Sequence, residues 1–218
     1  MTANEASEVT LTTARALDRV EPPATIAITQ LGRDLKAEGA DVVSLGIGEP
    51  GFDTPKHIKD ETYQRMLGGG ITYTPVAGIP ELKGAVREKF RRDNGLEYAD
   101  NEVMISAGGK QMLSNALYAT LNDEDEVILP APYWLAYHQT VSLFGGKPVI
   151  VKTSSESGYK LTAEDLDSSI THRTRWLVLN SPGNPSGAVY SNRNFGASPK
   201  FWRITPRYGF FPTTCMNT

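Results

Sequence analysis

Cysteine is almost missing from this chain: Cys215 is the single one in 218 residues. One thiol cannot close an internal disulfide, and it excludes any Cys-based metal cluster. Histidine is scarce as well. His57, His138 and His172 are scattered, without the spacing of metal ligands, so no metal is expected. No apolar run approaches the roughly 20 residues of a membrane-spanning helix. The opening Met1-Thr2-Ala3-Asn4-Glu5 lacks the apolar stretch of a secretory signal. The net charge is −3, which offers neither nucleic acid nor an anionic membrane an electrostatic hold. What remains is a soluble, cytoplasmic globular protein. Its apolar fraction of 39% can core one large domain or two small ones.

A second absence is local. All 25 acidic residues precede Asn192, whereas Arg193, Lys200, Arg203 and Arg207 follow it. Residues 192–218 also hold Phe195, Phe201, Trp202, Tyr208, Phe210 and Phe211, without helical or alternating periodicity. A basic disordered tail would normally be poor in Phe and Trp. We therefore expect this stretch to be disordered or arbitrarily packed, and foreign to the body.

The body alternates strand and helix signals. After a lead-in over residues 1–20 that is expected to be mobile, Pro22-Pro23 opens a helix that runs to about Glu38 and closes at Gly39. Val42 to Leu45 reads as a short strand, followed by a loop from Gly46 to Pro55. Ile79-Pro80-Glu81 opens a helix in which Leu82, Val86 and Phe90 recur at four-residue spacing, ended by Asn94-Gly95. Strands are predicted at Val103–Ile105, Glu126–Leu129, Pro148–Val151 and Trp176–Leu179. Helices are predicted at Lys110–Leu121, Tyr133–Phe144 and, capped by Thr162, over 162–170. Continuous apolar strands alternating with helices imply an α/β fold, with a mostly parallel sheet covered by helices on both faces.

Three strand ends carry candidate ligand groups. Ser106-Ala107-Gly108-Gly109-Lys110 joins a strand to a helix. Its glycines allow close backbone approach, and the helix N-terminus suits a phosphate. An ordinary strand-to-helix turn would look similar. Trp134, after Pro132-Tyr133, can stack on a planar ring or merely cap the core. Asn184, in Asn184-Pro185-Ser186-Gly187, can be a rigid donor or a plain turn residue. Ligand crevices in open α/β sheets form at such carboxyl ends. A phosphate site, a stacking ring and a polar donor together imply a phosphorylated aromatic cofactor.

The motifs form a set. Gly46-Ile47-Gly48-Glu49-Pro50, Tyr73-Thr74-Pro75-Val76-Ala77-Gly78-Ile79-Pro80, Gly108-Gly109-Lys110-Gln111, Pro132-Tyr133-Trp134 and Asn180-Ser181-Pro182-Gly183-Asn184-Pro185-Ser186-Gly187 resemble the class I aminotransferases. These are fold-type I enzymes that use pyridoxal 5′-phosphate; the nearest match is the bacterial aspartate aminotransferase type. The likeness runs from about Pro22 to Ser191. It implies that Gly108, Gly109 and Lys110 bind the cofactor phosphate, that Trp134 stacks on the pyridine ring, and that Asn184 hydrogen-bonds its phenolic oxygen. It implies that Tyr73 reaches the phosphate of a neighbouring subunit in a homodimer. Gly48 and Thr25 would contact the substrate. Glu21 stands where many relatives have Lys, which bears on the choice among acidic and prephenate-like substrates.

The implied reaction moves an amino group between an amino acid, aspartate or similar, and a 2-oxo acid. It needs a Schiff-base Lys, an Asp under the pyridine nitrogen, a Tyr and a substrate-binding Arg. In the family these follow the Asn-Pro-Ser-Gly turn, so no catalytic residue is assigned, and Lys200 stands in no family context. The resemblance thus implies residues 1–57 as part of a small domain, 58–191 as the first half of a cofactor-binding large domain, and 192–218 as an anomalous tail. We expect an incomplete large domain and an inactive fragment, frame-shifted after about Ser191. In the shifted frame the codons for residues 212–218 permit the family's Asp-x-x-Tyr. Other fold-type I lyase chemistry, and a non-catalytic remnant with a phosphate pocket, stay open as alternatives.

Overall fold

The computed structural model describes residues 12–48, 50–69, 72–191 and 209–213. It divides into two units: Met1–Pro22 with Leu113–Thr218, and Pro23–Met112.

The first unit is built on a four-stranded, all-parallel sheet in the order β2-β1-β3-β4. Its strands are β1 (Glu126–Ala131), β2 (Lys147–Lys152), β3 (Thr174–Asn180) and β4 (Gly209–Thr213). Ile128 lies opposite Val149 on one side and Leu177 on the other. The chain steps from β1 out to β2, then back across β1 to β3, as in doubly wound sheets. Side chains in a strand alternate in direction, so an apolar strand fills two cores. Val127 and Leu129 pack with Tyr137 and Val141 of α5 (Leu135–Leu143) and with Leu113 and Leu117 of α4 (Gly109–Thr120). Ile128 instead joins Leu177, Leu179, Val151 and Leu166 of α6 (Ala163–Ser169). The expected parallel sheet with helices on both faces is therefore present.

Local signals also hold in this unit. The Thr162 hydroxyl accepts from the Asp165 amide at 3.1 Å and caps α6. At the buried start of β1, the Glu126 carboxylate accepts from Thr171 Oγ1 at 2.5 Å and from Arg173 at 3.2 Å. It thereby ties the segment entering β3 to β1.

Two expectations for this unit are corrected. Part of the lead-in is ordered: Arg15–Arg19 forms a 3-10 turn, and Gln139 donates to the Glu21 carbonyl at 2.9 Å. Part of the tail is ordered too. Gly209–Thr213 runs parallel beside β3, with Leu177 opposite Phe210 and Asn180 opposite Thr213. An unpaired strand edge is a row of open hydrogen-bonding groups, and the backbone of Gly209–Thr213 pairs with it, although Pro212 has no N–H to give. The rest of 192–218 lies outside the described residues.

The second unit is helical. It holds α1 (Ala24–Ala37), α2 (Lys56–Leu67) and α3 (Pro80–Lys89). Gly39 closes α1 with φ 89°. α3 continues through a π turn, Phe90–Asn94, and stops at Gly95, whose φ is 65°. Lys83 is 6% exposed and donates to Asp100 at 2.8 Å.

The sequence reading missed α2, whose apolar residues form no strong stripe. It also predicted strands at Val42–Leu45 and Val103–Ile105 that are not there. A strand needs a partner. Val43 and Leu45 are 83% and 92% exposed, and from 103–105 a single ladder-like bond, Ile105 N–H to the Ala77 carbonyl at 3.0 Å, is made.

Candidate functional site

The candidate residues fall in both units, and each group is described where it stands. In the first unit the site lies at the carboxyl ends of β1 and β3, adjacent parallel strands. The β1 turn is tied down from β2's end: Thr153 donates to the Ala131 carbonyl through both its amide, at 3.1 Å, and its hydroxyl, at 2.6 Å. Trp134 caps the start of α5. Its indole meets the Tyr137 ring edge-on, with centroids 5.5 Å apart and planes at 89°. Tyr137 is buried, while Trp134 keeps 36% of its surface exposed.

The β3 turn is closed by its own backbone. Gly183 N–H donates to the Ala188 carbonyl at 2.8 Å, and Gly187 N–H to the Gly183 carbonyl at 2.7 Å. Asn180, the last residue of β3, accepts the Asn184 amide on its side-chain oxygen at 2.7 Å. A small cavity of about 20 Å³ lies between the two turns, lined by Pro130, Tyr133, Tyr137, Asn180, Asn184 and Tyr190 among others. Burial raises the pKa of the Tyr133 and Tyr190 phenols, so both stay protonated at neutral pH. Tyr190 is also a fixed acceptor, taking the Leu161 amide at 2.8 Å. The cavity is thus walled by uncharged hydroxyl, amide and ring groups. Asn184 joins the β1 turn there, whereas Trp134 is not among its lining residues.

The second unit holds the glycine turn. Gly108 has φ 90°, a left-handed value that favours glycine. A Cβ placed on Gly108 or Gly109 would meet nothing within 4 Å. The Gln111 side chain caps the Ala107 amide at 2.7 Å, and Met112 N–H returns to the Gly108 carbonyl at 3.2 Å. The first-turn amides of α4 therefore point out of the helix end. Lys110 stands in that first turn. Tyr73 is fully exposed on the loop before α3, and Gly48 has open space where a side chain would be. Thr25 lies in the first turn of α1, its carbonyl accepting the Thr29 hydroxyl at 2.7 Å.

Sequence reasoning overlooked Tyr137 and Asn180. The first was legible as an aromatic three residues after Trp134 at a helix start. The second lies inside the quoted motif, but nothing in the string distinguishes a side chain that holds its own turn. Among the described residues there is no group of three or more His, Cys, Asp or Glu placed to hold a metal ion. No helix among them is long and apolar enough to cross a membrane.

Residues 40–196, most of the chain, match the family model described as aminotransferase class I and II. The chain belongs to that family. It is 47% identical over 199 residues to a probable aspartate/prephenate aminotransferase of Rhizobium leguminosarum bv. phaseoli, covering 88% of this chain and 50% of that protein. It is 52% identical over 181 residues to the aspartate/prephenate aminotransferase of Cereibacter sphaeroides, covering 83% and 45%. Among solved structures, the aspartate aminotransferase of Rhizobium meliloti superposes with a TM-score of 0.88 at 40% identity, over 93% of this chain and 51% of that one. The Thermus thermophilus aspartate aminotransferase with maleate gives 0.84 at 39% identity, over 93% and 52%. The chain spans about half the length of the curated relatives it matches. Its α/β architecture is that of the fold-type I aminotransferases.

Proposed function

We propose that this aminotransferase-family chain contributes to amino-group transfer between aspartate, or a similar amino acid, and a 2-oxo acid, with pyridoxal 5′-phosphate as cofactor. The observation that carries the reading is that the Asn184 turn and the Pro130–Tyr133 turn adjoin at the carboxyl ends of β1 and β3, in a chain whose residues 40–196 match the aminotransferase family. The residues present fit the cofactor chemically. Gly108 and Gly109 leave the α4 N-terminus open to an anion, and Lys110 adds a cation beside it. Trp134 offers a part-exposed ring whose plane its neighbour sets. The Asn184 side chain is a neutral donor suited to a ring oxygen. When bound, the cofactor supplies an electron sink for the substrate's α-carbon.

The remaining assignments belong to the same proposal. Tyr73 serves the phosphate of a second subunit in a homodimer, and Gly48 and Thr25 serve the substrate. Residues 1–57 go with a small domain, and 58–191 with the first half of the cofactor-binding domain. The protein works in the cytoplasm. For these 218 residues alone the proposal is cofactor binding without turnover.

Equilibrium dialysis with pyridoxal 5′-phosphate tests it. Saturable binding is expected, weakened about tenfold by Lys110→Ala, which removes a charged phosphate contact. Failure of the chain to bind saturably would sink the cofactor reading. Transamination of aspartate and 2-oxoglutarate by this chain alone would overturn the expectation of no turnover.

A further inference from the structure

The turn that presents Asn184 is closed within itself by backbone bonds, which set its shape but not its placement on the sheet. Its placement is governed elsewhere. The Ser181 hydroxyl accepts the Tyr190 amide at 3.1 Å, on the far side of the turn. On the near side, the Asn180 side-chain oxygen accepts the Asn184 amide at 2.7 Å. Asn180 ends β3, and its backbone is held in the sheet opposite Thr213. The bond therefore runs from a residue anchored in the sheet to the backbone of the residue that carries the candidate donor. Both residues line the same cavity. Asn184 and its turn partners Pro185 and Gly187 are exposed, so water can replace this bond without unfolding the unit. What water cannot replace is a fixed origin for the Asn184 side chain.

We propose that Asn180 is a positioning residue: its carboxamide oxygen pins the Asn184 amide and so aims the Asn184 side chain into the cavity. The proposal rests on the assignment of Asn184 as a cofactor contact. It involves no proton transfer and no covalent step. The acceptor oxygen is the working atom, so Asn180→Asp retains the bond and Asn180→Leu, of similar size, removes it.

Two measurements on the 218-residue chain test it. In the first, amide exchange at Asn184 is followed by NMR without any cofactor. The Asn184 amide is expected to exchange slowly in the unaltered chain and in Asn180→Asp, and several-fold faster in Asn180→Leu. Equal protection in all three would overturn the proposal. In the second, pyridoxal 5′-phosphate affinity is measured for Asn180→Leu, Asn184→Ala and the double variant. Asn180→Leu is expected to weaken binding about three- to tenfold, the scale of one lost hydrogen bond. In the Asn184→Ala background it is expected to cost nothing more, because its effect passes through Asn184.

An unaltered affinity in Asn180→Leu, with Asn184→Ala weakened, would overturn the positioning role and leave the cofactor reading standing. An equal loss in both backgrounds would also overturn it, by showing a general effect on the fold. Absence of binding by the unaltered chain would remove the cofactor reading and the positioning role together, while the exchange result would still report on the bond itself.

Discussion

Trp134 and Tyr137 meet edge to face, their ring centroids 5.5 Å apart and their planes at 89°. The buried ring belongs to the core between α5 and the sheet, and the part-exposed ring is the candidate stacking surface. Such pairs add to plain burial because the positive edge of one ring meets the negative face of the other. The core thus sets the plane of a surface indole. Tyr137→Ala is expected to destabilise the first unit by about 3–5 kcal/mol, as for other buried aromatic truncations. Tyr137→Phe, which keeps the ring, is expected to cost about 1 kcal/mol. Urea unfolding followed by circular dichroism gives both values, and equal losses would refute the ring-based account.

The Glu126 carboxylate has a pKa below its ordinary value of 4.5, first because the Thr171 hydroxyl donates to it and then because Arg173 does. A depressed folded-state pKa means that the folded form favours the ion. Its stabilising contribution is fully present above the unfolded value of about 4.5, and it is lost as pH falls through the lower folded value. Glu126→Gln is expected to cost roughly 1 kcal/mol at pH 7, a modest sum because Arg173 is half-exposed. It should also flatten the fall in urea midpoint below pH 4.5. An acid limb as steep in the variant as in the unaltered chain would assign that limb to other carboxylates.

Gly78 combines φ 101° with crowding: a Cβ there would lie 2.6 Å from Ile105 Cγ1. Gly39 has a similar φ of 89° but nothing within 4 Å. The two separate backbone strain from collision. Gly39→Ala is expected to cost about 1 kcal/mol, and Gly78→Ala clearly more, roughly 2–3 kcal/mol, because Ile105 must also move. Amide exchange in α1 for Gly39→Ala and in α3 for Gly78→Ala reads the two costs, and equal losses would show that Ile105 yields freely.

How much was legible varies with the source of order. β1, β2 and β3 were found because Val127-Ile128-Leu129 and their counterparts are apolar on both faces, which in an α/β protein leaves one arrangement: a sheet covered twice. α3 and α6 were found because Pro80, Gly95 and Thr162 act locally, through φ and capping. α2 escaped, since its residues carry no clear stripe. Val42–Leu45 and Val103–Ile105 misled, because propensity describes what a segment can pair as, and pairing needs a neighbour. Gly209–Thr213 was the reverse case: a segment expected to be disordered or arbitrarily packed runs as a strand at the edge of β3.

The same division holds for the site. The string of residues by itself determined the family, the parallel sheet and the candidates Gly108, Gly109, Lys110, Trp134 and Asn184, because glycine turns, helix starts and strand ends are local features with local causes. Only the tertiary structure decided that the Asn184 turn shares a cavity with the β1 turn, that Tyr137 sets the plane of Trp134, and that Asn180 holds the Asn184 amide. Those relations depend on strands 126–131 and 174–180 lying side by side, although more than 40 residues separate them in the chain. A residue's type limits what it can donate or stack upon. What it meets is settled by packing, which brings distant segments to within a hydrogen bond of each other.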